Sequence, residues 1–386
     1  MRTVIVIFLF TSLTAPGQQS VTLDSVIAAS LGSHPKIHAA HAEVSEQQAL
    51  KRGSFSLPDP TVFVASPDGD GFTPGVEQKL DNPLVYVQQS KLGKERVTLA
   101  EQRTALTRAD VVRQVSNTYT TWQFAIARYE LLRARDSVFR SLREIAERRH
   151  TVGEAGLIEK TSAVARSEEF SALLVAAEAE VSRATNELLR LIGSSGQTLM
   201  PTELTAMQAD ITATPGTSLW NEVSGQMQVV AMRDLSLQQA KWAPGLALGY
   251  LNEGDASTPF EHRLYLGITV PLWFWTHASE VKAARAALVK ARYENALTVQ
   301  QYDLAWQEAM SNYSSTEAML QYYETSGAQQ AAVLLDAASR TYAAGEIGYI
   351  EYLSVLSQVF DIRAKHLEAL RDHNLAVIQL QYLQSQ

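Results

Sequence analysis

Two short segments hold the residues best suited to chemistry. "HTVGEAGLIEK" at 150–160 and "YAAGEIGYIEY" at 342–352 share the pattern G-E-x-G-x-I-E, offset by 192 residues. Each sets two carboxylates, Glu154 and Glu159 or Glu346 and Glu351, among the paired glycines Gly153 and Gly156 or Gly345 and Gly348. No catalytic partner accompanies them: the chain has no H-E-x-x-H, no G-x-S-x-G and no phosphate-cradling glycine loop. Two physical readings remain. Glu159 and Glu351 suit the first turn of a helix, where its dipole favours acids. Several copies of them around a constriction would concentrate cations. A second constellation is His34, His38 and His41, spaced i, i+4 and i+7 on one helical face. Imidazoles so placed can bind zinc or copper, but Pro35 distorts the helix start and only Glu43 lies near as a carboxylate. No metal site, no cofactor and no enzymatic activity are expected.

The elements that position these carboxylates form a tandem repeat. Val97–Val152, before the first G-E-x-G, contains no Gly and no Pro; Val281–Ala344, before the second, contains no Pro and one glycine, Gly327. A break-free run follows each motif, Leu157–Ile192 and Tyr349–Gln386. "QQAL" at 47–50 answers "QQAK" at 238–241. The chain therefore reads as a duplication of about 190 residues. The first repeat covers 18–195, a linker 196–217 and the second repeat 218–386. Each opens with a moderate helix (Leu23–Lys51, interrupted near Pro35; Leu219–Lys241) and closes with the long helix, the glycine break and a returning helix. The alanine-rich stretch from Ala283 to Ala305 suits close, coiled-coil-like packing.

Between the opening and long helices each repeat changes character. "FSLPDPTVFVAS" (55–66), the turn-rich 67–75 and "NPLVYVQQSKLG" (82–93) predict a β-hairpin over about 55–93. "APGLALGYLNE" (243–253) and "HRLYLGITVPLWFW" (262–275) predict a second over about 243–275. Leu264, Leu266, Ile268 and Val270 alternate with polar or small residues, the pattern of a barrel strand in an outer membrane. Trp273, Phe274 and Trp275 at that strand's end, with Tyr86, Trp242 and Tyr250 as weaker candidates, would mark the membrane–water boundary. Two hairpins supply four strands, whereas a closed membrane barrel needs about eight or more. An open edge in lipid is not viable, so membrane-spanning hairpins require a homo-oligomer. A small soluble sheet capping a bundle is the other reading.

The 386 residues carry 46% hydrophobic and 19% charged side chains, enough for a sizeable core. A net charge of −8 and the lack of a Lys/Arg block argue against nucleic acid. The absence of cysteine excludes disulfides, thiolate metal sites and a lipid-modified N-terminal cysteine. Residues 1–17, with Arg2, the apolar Val4–Leu13 and small Ala15 and Gly17, read as a signal peptide.

Over nearly its whole mature length the chain resembles the TolC family of outer-membrane efflux channels. The order helix, hairpin, long helix, glycine turn, returning helix is similar to the family's, as are the junctions "QQSKLGKERVTLAEQ" (88–102) and "VPLWFWTHASEVKAARAAL" (270–288). "YAAGEIGYIEYLSVLSQ" resembles the family's most recognisable segment. The chain length is closer to the heavy-metal-efflux branch. The resemblance implies a mainly α fold with a β-barrel contribution. In a homotrimer, twelve strands would form an outer-membrane barrel continuous with a periplasmic α-helical tunnel. It implies tip turns at Gly153, Glu154, Gly156, Gly345, Glu346 and Gly348 that meet a periplasmic adaptor, and an aperture lined by Glu159, Glu351 and Tyr342. It also implies an inner-membrane pump of the resistance-nodulation-division type, with drugs or metal cations as cargo. Where the family has a basic residue in its closing contacts, this chain has Ile347. The rival expectations are the duct of a type I protein-secretion system and a soluble periplasmic coiled-coil scaffold or adaptor.

Overall fold

A computed structural model describes residues 20–53, 56–66, 72–193, 199–209, 218–252, 259–270 and 274–384. The expected signal peptide lies outside them. Along the chain come β1 (Ser20–Val21), α1 (Leu23–Ser33), α2 (Pro35–Arg52), β2 (Thr61–Ala65), β3 (Thr73–Leu80), α3 (Pro83–Thr151) and α4 (Leu157–Ile192). Then follow β4 (Met200–Pro201), α5 (Leu219–Ala240), β5 (Gly245–Leu251), a 3₁₀ turn (Phe260–Arg263), β6 (Leu264–Thr269) and α6 (Phe274–Tyr322). A π-turn (Tyr323–Gly327), α7 (Ala328–Ala343) and α8 (Tyr349–Gln384) complete the described chain. The order helix, hairpin, long helix, turn, helix thus occurs twice.

Local chemistry sets the boundaries. Pro35 starts α2 rather than merely interrupting a helix: it occupies the first turn, and His34 Nδ1 accepts the Lys36 N–H at 3.2 Å. Proline is tolerated there because its missing N–H has no helical partner to lose. Pro83 does the same for α3, where Asn82 Oδ1 accepts the Leu84 N–H at 2.9 Å. That cap corrects the first hairpin. Residues 83–93 are helix, and the second strand is Thr73–Leu80, starting inside the segment read as a turn. At Tyr323–Gly327 the long helix widens into a π-turn around its lone glycine. A Cβ on Gly327 would lie 3.0 Å from Tyr323 Cδ1, so the glycine makes room for that ring.

The chain divides into two compact units, each drawing on both repeats. One comprises Met1–Gly32, Gln114–Met207 and Thr316–Leu375. Its packing follows a narrow helical seam: α4 buries Ala163, Ser167, Phe170, Ala177, Ala184, Leu188 and Leu191, the two-in-seven spacing of coiled-coil cores. Phe139, Phe170 and Phe360 meet at its centre, with ring centroids 4.5 Å apart for Phe139–Phe170 and 6.3 Å for Phe139–Phe360. The Arg135 guanidinium lies 3.9 Å over Phe170 and pairs with Asp361 at 3.0 Å. The segment 199–209, within the expected linker, is held by side chains: Gln123 Nε2 donates to Thr202 O at 3.0 Å, and Asn374 Nδ2 donates to Thr205 O at 2.8 Å.

The other unit comprises Ser33–Arg113, Gln208–Ser315 and Ala376–Gln386. It contains a four-stranded antiparallel sheet in the order β2-β3-β5-β6, so the two hairpins join side by side. The register pairs Val62 with Val76, Val76 with Tyr250 and Tyr250 with Leu264. Its helices meet at a polar knot: Tyr382 donates to Asp110 Oδ1 at 2.7 Å and accepts from Trp220 Nε1 at 3.1 Å. Arg113 lies 4.2 Å over the Tyr382 ring.

Candidate functional site

Both G-E-x-G segments fold as the same turn, and the hydrogen bonds explain which glycine each turn needs. At the end of α3 the Gly153 N–H reaches His150 O at 3.1 Å, and the Glu154 N–H reaches Arg149 O at 2.8 Å. At the end of α7 the Gly345 N–H reaches Tyr342 O at 3.1 Å, and the Glu346 N–H reaches Thr341 O at 2.9 Å. This nested pair of bonds is the Schellman motif, which closes a helix through one left-handed residue. Gly153 and Gly345 supply it, with φ of 79° and 72°. Gly156 plays a different part: it is the N-cap of α4 at φ −74°, ψ 162°, a conformation open to any residue. Gly348 also has no left-handed φ.

The carboxylates of the two turns are not equivalent. Glu159 is only 18% exposed and pairs with Arg149 at 3.0 Å, tying α4 to α3. Glu351, in the first turn of α8, is exposed. Glu154 and Glu346 are exposed as well, Glu154 lying 3.9 Å from Arg149. Tyr342 stacks on Tyr352, with centroids 4.5 Å apart and planes at 2°, and its centroid lies 6.3 Å from that of Tyr349. Tyr349 is buried and donates to Leu142 O at 2.9 Å. Burial, with Tyr342 and Glu159 nearby, pushes its phenol well above the usual tyrosine range. Val152, Leu157 and Ile158 stand exposed around the first turn and Ile350 beside the second.

Sequence reasoning grouped Glu159, Glu351 and Tyr342 as one lining; all three belong to the first of the two compact units. That reasoning did not single out Arg149, which reaches Glu159 from the last turn of α3. The signal was present, since Arg148, Arg149 and His150 close that helix, but the repeat masked it, because Thr341 stands at the equivalent place. His34 serves as a helix cap, while His38 and His41 are exposed.

The sheet has two chemically distinct faces. Alternation places Val62, Val64, Val76, Leu246, Leu248, Leu264, Leu266 and Ile268 on one side, and every one of them is exposed. The other side carries Gly75, Glu77, Lys79, Gly245, Ala247, Gly249, Tyr265, Gly267 and Thr269. An exposed face of this extent, apolar but for Gln78 opposite Leu248, marks a surface that meets another protein or a membrane. The boundary aromatics need correction. β6 ends at Thr269, and Phe274 and Trp275 begin α6; Trp273 lies outside the described residues. Trp275 and Trp242 are exposed, whereas Tyr86 is buried, its hydroxyl accepting the Asp81 N–H at 3.1 Å.

Paired hairpins on repeated long-helix units, with glycine turns between the helices, form a fold shared with solved outer-membrane channels. The chain is similar to VceC, an outer membrane protein of Vibrio cholerae, with a TM-score of 0.77 at 16% identity over 94% of this chain and 95% of that one. It is similar to the Campylobacter jejuni CmeC outer membrane channel, with a TM-score of 0.77 at 14% identity over 96% and 89%. It is also similar to the Neisseria gonorrhoeae MtrE outer membrane channel, with a TM-score of 0.76 at 13% identity over 94% and 88%. No protein-family model and no curated protein sequence matches the chain.

Proposed function

We propose that the chain is the outer-membrane exit duct of a tripartite efflux system, a trimer that passes small solutes passively from an inner-membrane pump and a periplasmic adaptor. The observation that carries this reading is the sheet's exposed apolar face, backed by a mixed face where Glu77, Lys79, Thr269 and several glycines accompany Phe63, Leu251 and Tyr265. Such a dyad suits a barrel with lipid outside and water inside. One chain offers four strands with β2 and β6 as edges; three chains offer twelve and leave no edge. A soluble scaffold would leave the apolar face in water. The turns at Gly153–Gly156 and Gly345–Gly348, with Glu154, Glu346 and the exposed Val152, Leu157 and Ile158, are the proposed adaptor contacts. Glu351 and the Tyr342–Tyr352 stack are the proposed aperture lining, with Glu159 held back by Arg149. Energy would come from the pump. The test is fractionation followed by native mass analysis and planar-bilayer recording. The expected result is an outer-membrane trimer that conducts ions; recovery as a soluble periplasmic monomer would end this reading.

A further inference from the structure

The small-residue face of the sheet is not featureless. Thr61, Glu77, Gly249 and Tyr265 form one row across β2, β3, β5 and β6. The next row contains Phe63 opposite Gly75. Both aromatic rings lie across a glycine of the neighbouring strand. A Cβ on Gly75 would come 2.6 Å from Phe63 Cζ, and one on Gly249 would come 2.0 Å from Tyr265 Cζ. Each ring therefore occupies the space over a bare glycine, Phe63 beside Leu251, whose Cδ1 would lie 3.1 Å from the same Cβ on Gly75. Glu77 stands in the corner between them, two residues along β3 from Gly75 and directly across from Gly249. Its side chain is 24% exposed, and its carboxylate is in electrostatic contact with the Tyr265 hydroxyl. One further charge faces this corner: Lys79 Nζ lies 3.9 Å from Glu77 Oε1, on a side chain 59% exposed. An exposed pair at that separation is weak and readily exchanged.

We propose that Glu77, Phe63 and Tyr265 form a subsite for organic cations on the inner wall of the duct. A carboxylate supplies the charge and two ring faces supply the cation–π surface that ammonium groups with apolar substituents favour. Such a cation displaces Lys79 from Glu77, because it gains the ring contacts that Lys79 does not make. The subsite rests on the reading of this face as water-lined, so the test separates the two.

The chain contains no cysteine, so single reporters can be introduced cleanly. Thr61→Cys and Leu248→Cys, on opposite faces, are compared in the reconstituted trimer with a hydrophilic maleimide. Reaction at position 61 and protection at 248 are expected; the reverse pattern, or silence at both, overturns the duct reading and the subsite with it. Labelling at position 61 is then repeated with benzyltrimethylammonium. The probe is expected to slow the reaction, Glu77→Gln to abolish the protection, and Tyr265→Leu to raise the half-protecting concentration about threefold, the factor of one exposed cation–π contact. Lys79→Gln is expected to lower that concentration, and it decides the matter should Glu77→Gln fail to assemble. Unchanged labelling at saturating probe, protection that survives Glu77→Gln, or no response to Lys79→Gln overturns the subsite while leaving the duct intact.

Discussion

Replacing Gly153 by alanine separates the two glycines of the turn. Gly153 holds φ at 79° with nothing within 4 Å of a Cβ placed on it, so the cost of a methyl group there comes from the backbone alone. A left-handed conformation costs an L-residue about 1–2 kcal/mol. The Glu154 amide, which donates to Arg149 O at 2.8 Å, reports the opening of this turn directly. Its hydrogen exchange should accelerate by about 5- to 30-fold in Gly153→Ala, while the Glu346 amide of the equivalent turn stays unchanged. Gly156→Ser should act in the opposite sense. At φ −74° and ψ 162° the position already has N-cap geometry but no side-chain cap, and a serine oxygen in place of glycine there contributes roughly a few tenths of a kcal/mol. Unchanged exchange at Glu154 in Gly153→Ala, or equal acceleration by Gly156→Ser, would refute the division of labour between the glycines.

Glu351→Ala should reduce cation selectivity in planar-bilayer recordings more than Glu159→Ala, because Arg149 already neutralises Glu159; equal effects would contradict the asymmetry. Phe139→Ala, which empties a site 1% exposed against Phe170 and Phe360, should destabilise its unit by about 3–5 kcal/mol, read as a lower thermal midpoint of the purified protein. Burial and the bond to Asp110 raise the Tyr382 phenol to about 12. Its folded state thus favours the protonated form: the stability it contributes is complete below about pH 10 and is lost as pH rises through about 12. Ultraviolet difference titration should therefore show this tyrosine ionising after the exposed ones, and Tyr382→Phe should reduce the late ionisation, leaving the part that belongs to the buried Tyr349.

Much of this architecture was legible because it repeats. The break-free runs before and after each G-E-x-G fixed four helical spans, and alternation at Leu264, Leu266 and Ile268 fixed the face of β6. The first hairpin was read less well. Its second strand, "TPGVEQKL", contains a proline, a glycine and three charged or amide side chains, so neither propensity nor hydrophobic alternation announces it. Its place is set by pairing with β2 and β5, which is tertiary information. Residues 83–93 misled in the other direction: "PLVYV" is rich in β-formers, yet the Asn82 cap and Pro83 start a helix there. Local capping chemistry overrode propensity. The Arg149–Glu159 pair was invisible for a further reason. It depends on the turn bringing residues ten apart face to face, and the equivalent position in the other repeat carries no charge.

That difference between repeats has a physical logic. The two turns share one backbone form, each closed by one left-handed glycine, and a turn of this kind tolerates varied side chains because the bonds that close the helix are main-chain. The first turn has Arg149 and exposes Leu157; the second has Thr341 and, at the position matching Leu157, the buried Tyr349. One turn is therefore held by an ion pair and the other by aromatic packing, Tyr342 on Tyr352 with Tyr349 beneath. These two fastenings answer to different conditions: an ion pair on partly exposed side chains weakens with salt, whereas stacked rings do not. Salt can thus weaken the Arg149–Glu159 pair while the core that Tyr349 shares with Leu142 and Ala146 of α3 and Ala163 of α4 stays packed. Glu351 is engaged by neither fastening and is exposed, which is why the proposed aperture charge falls to it.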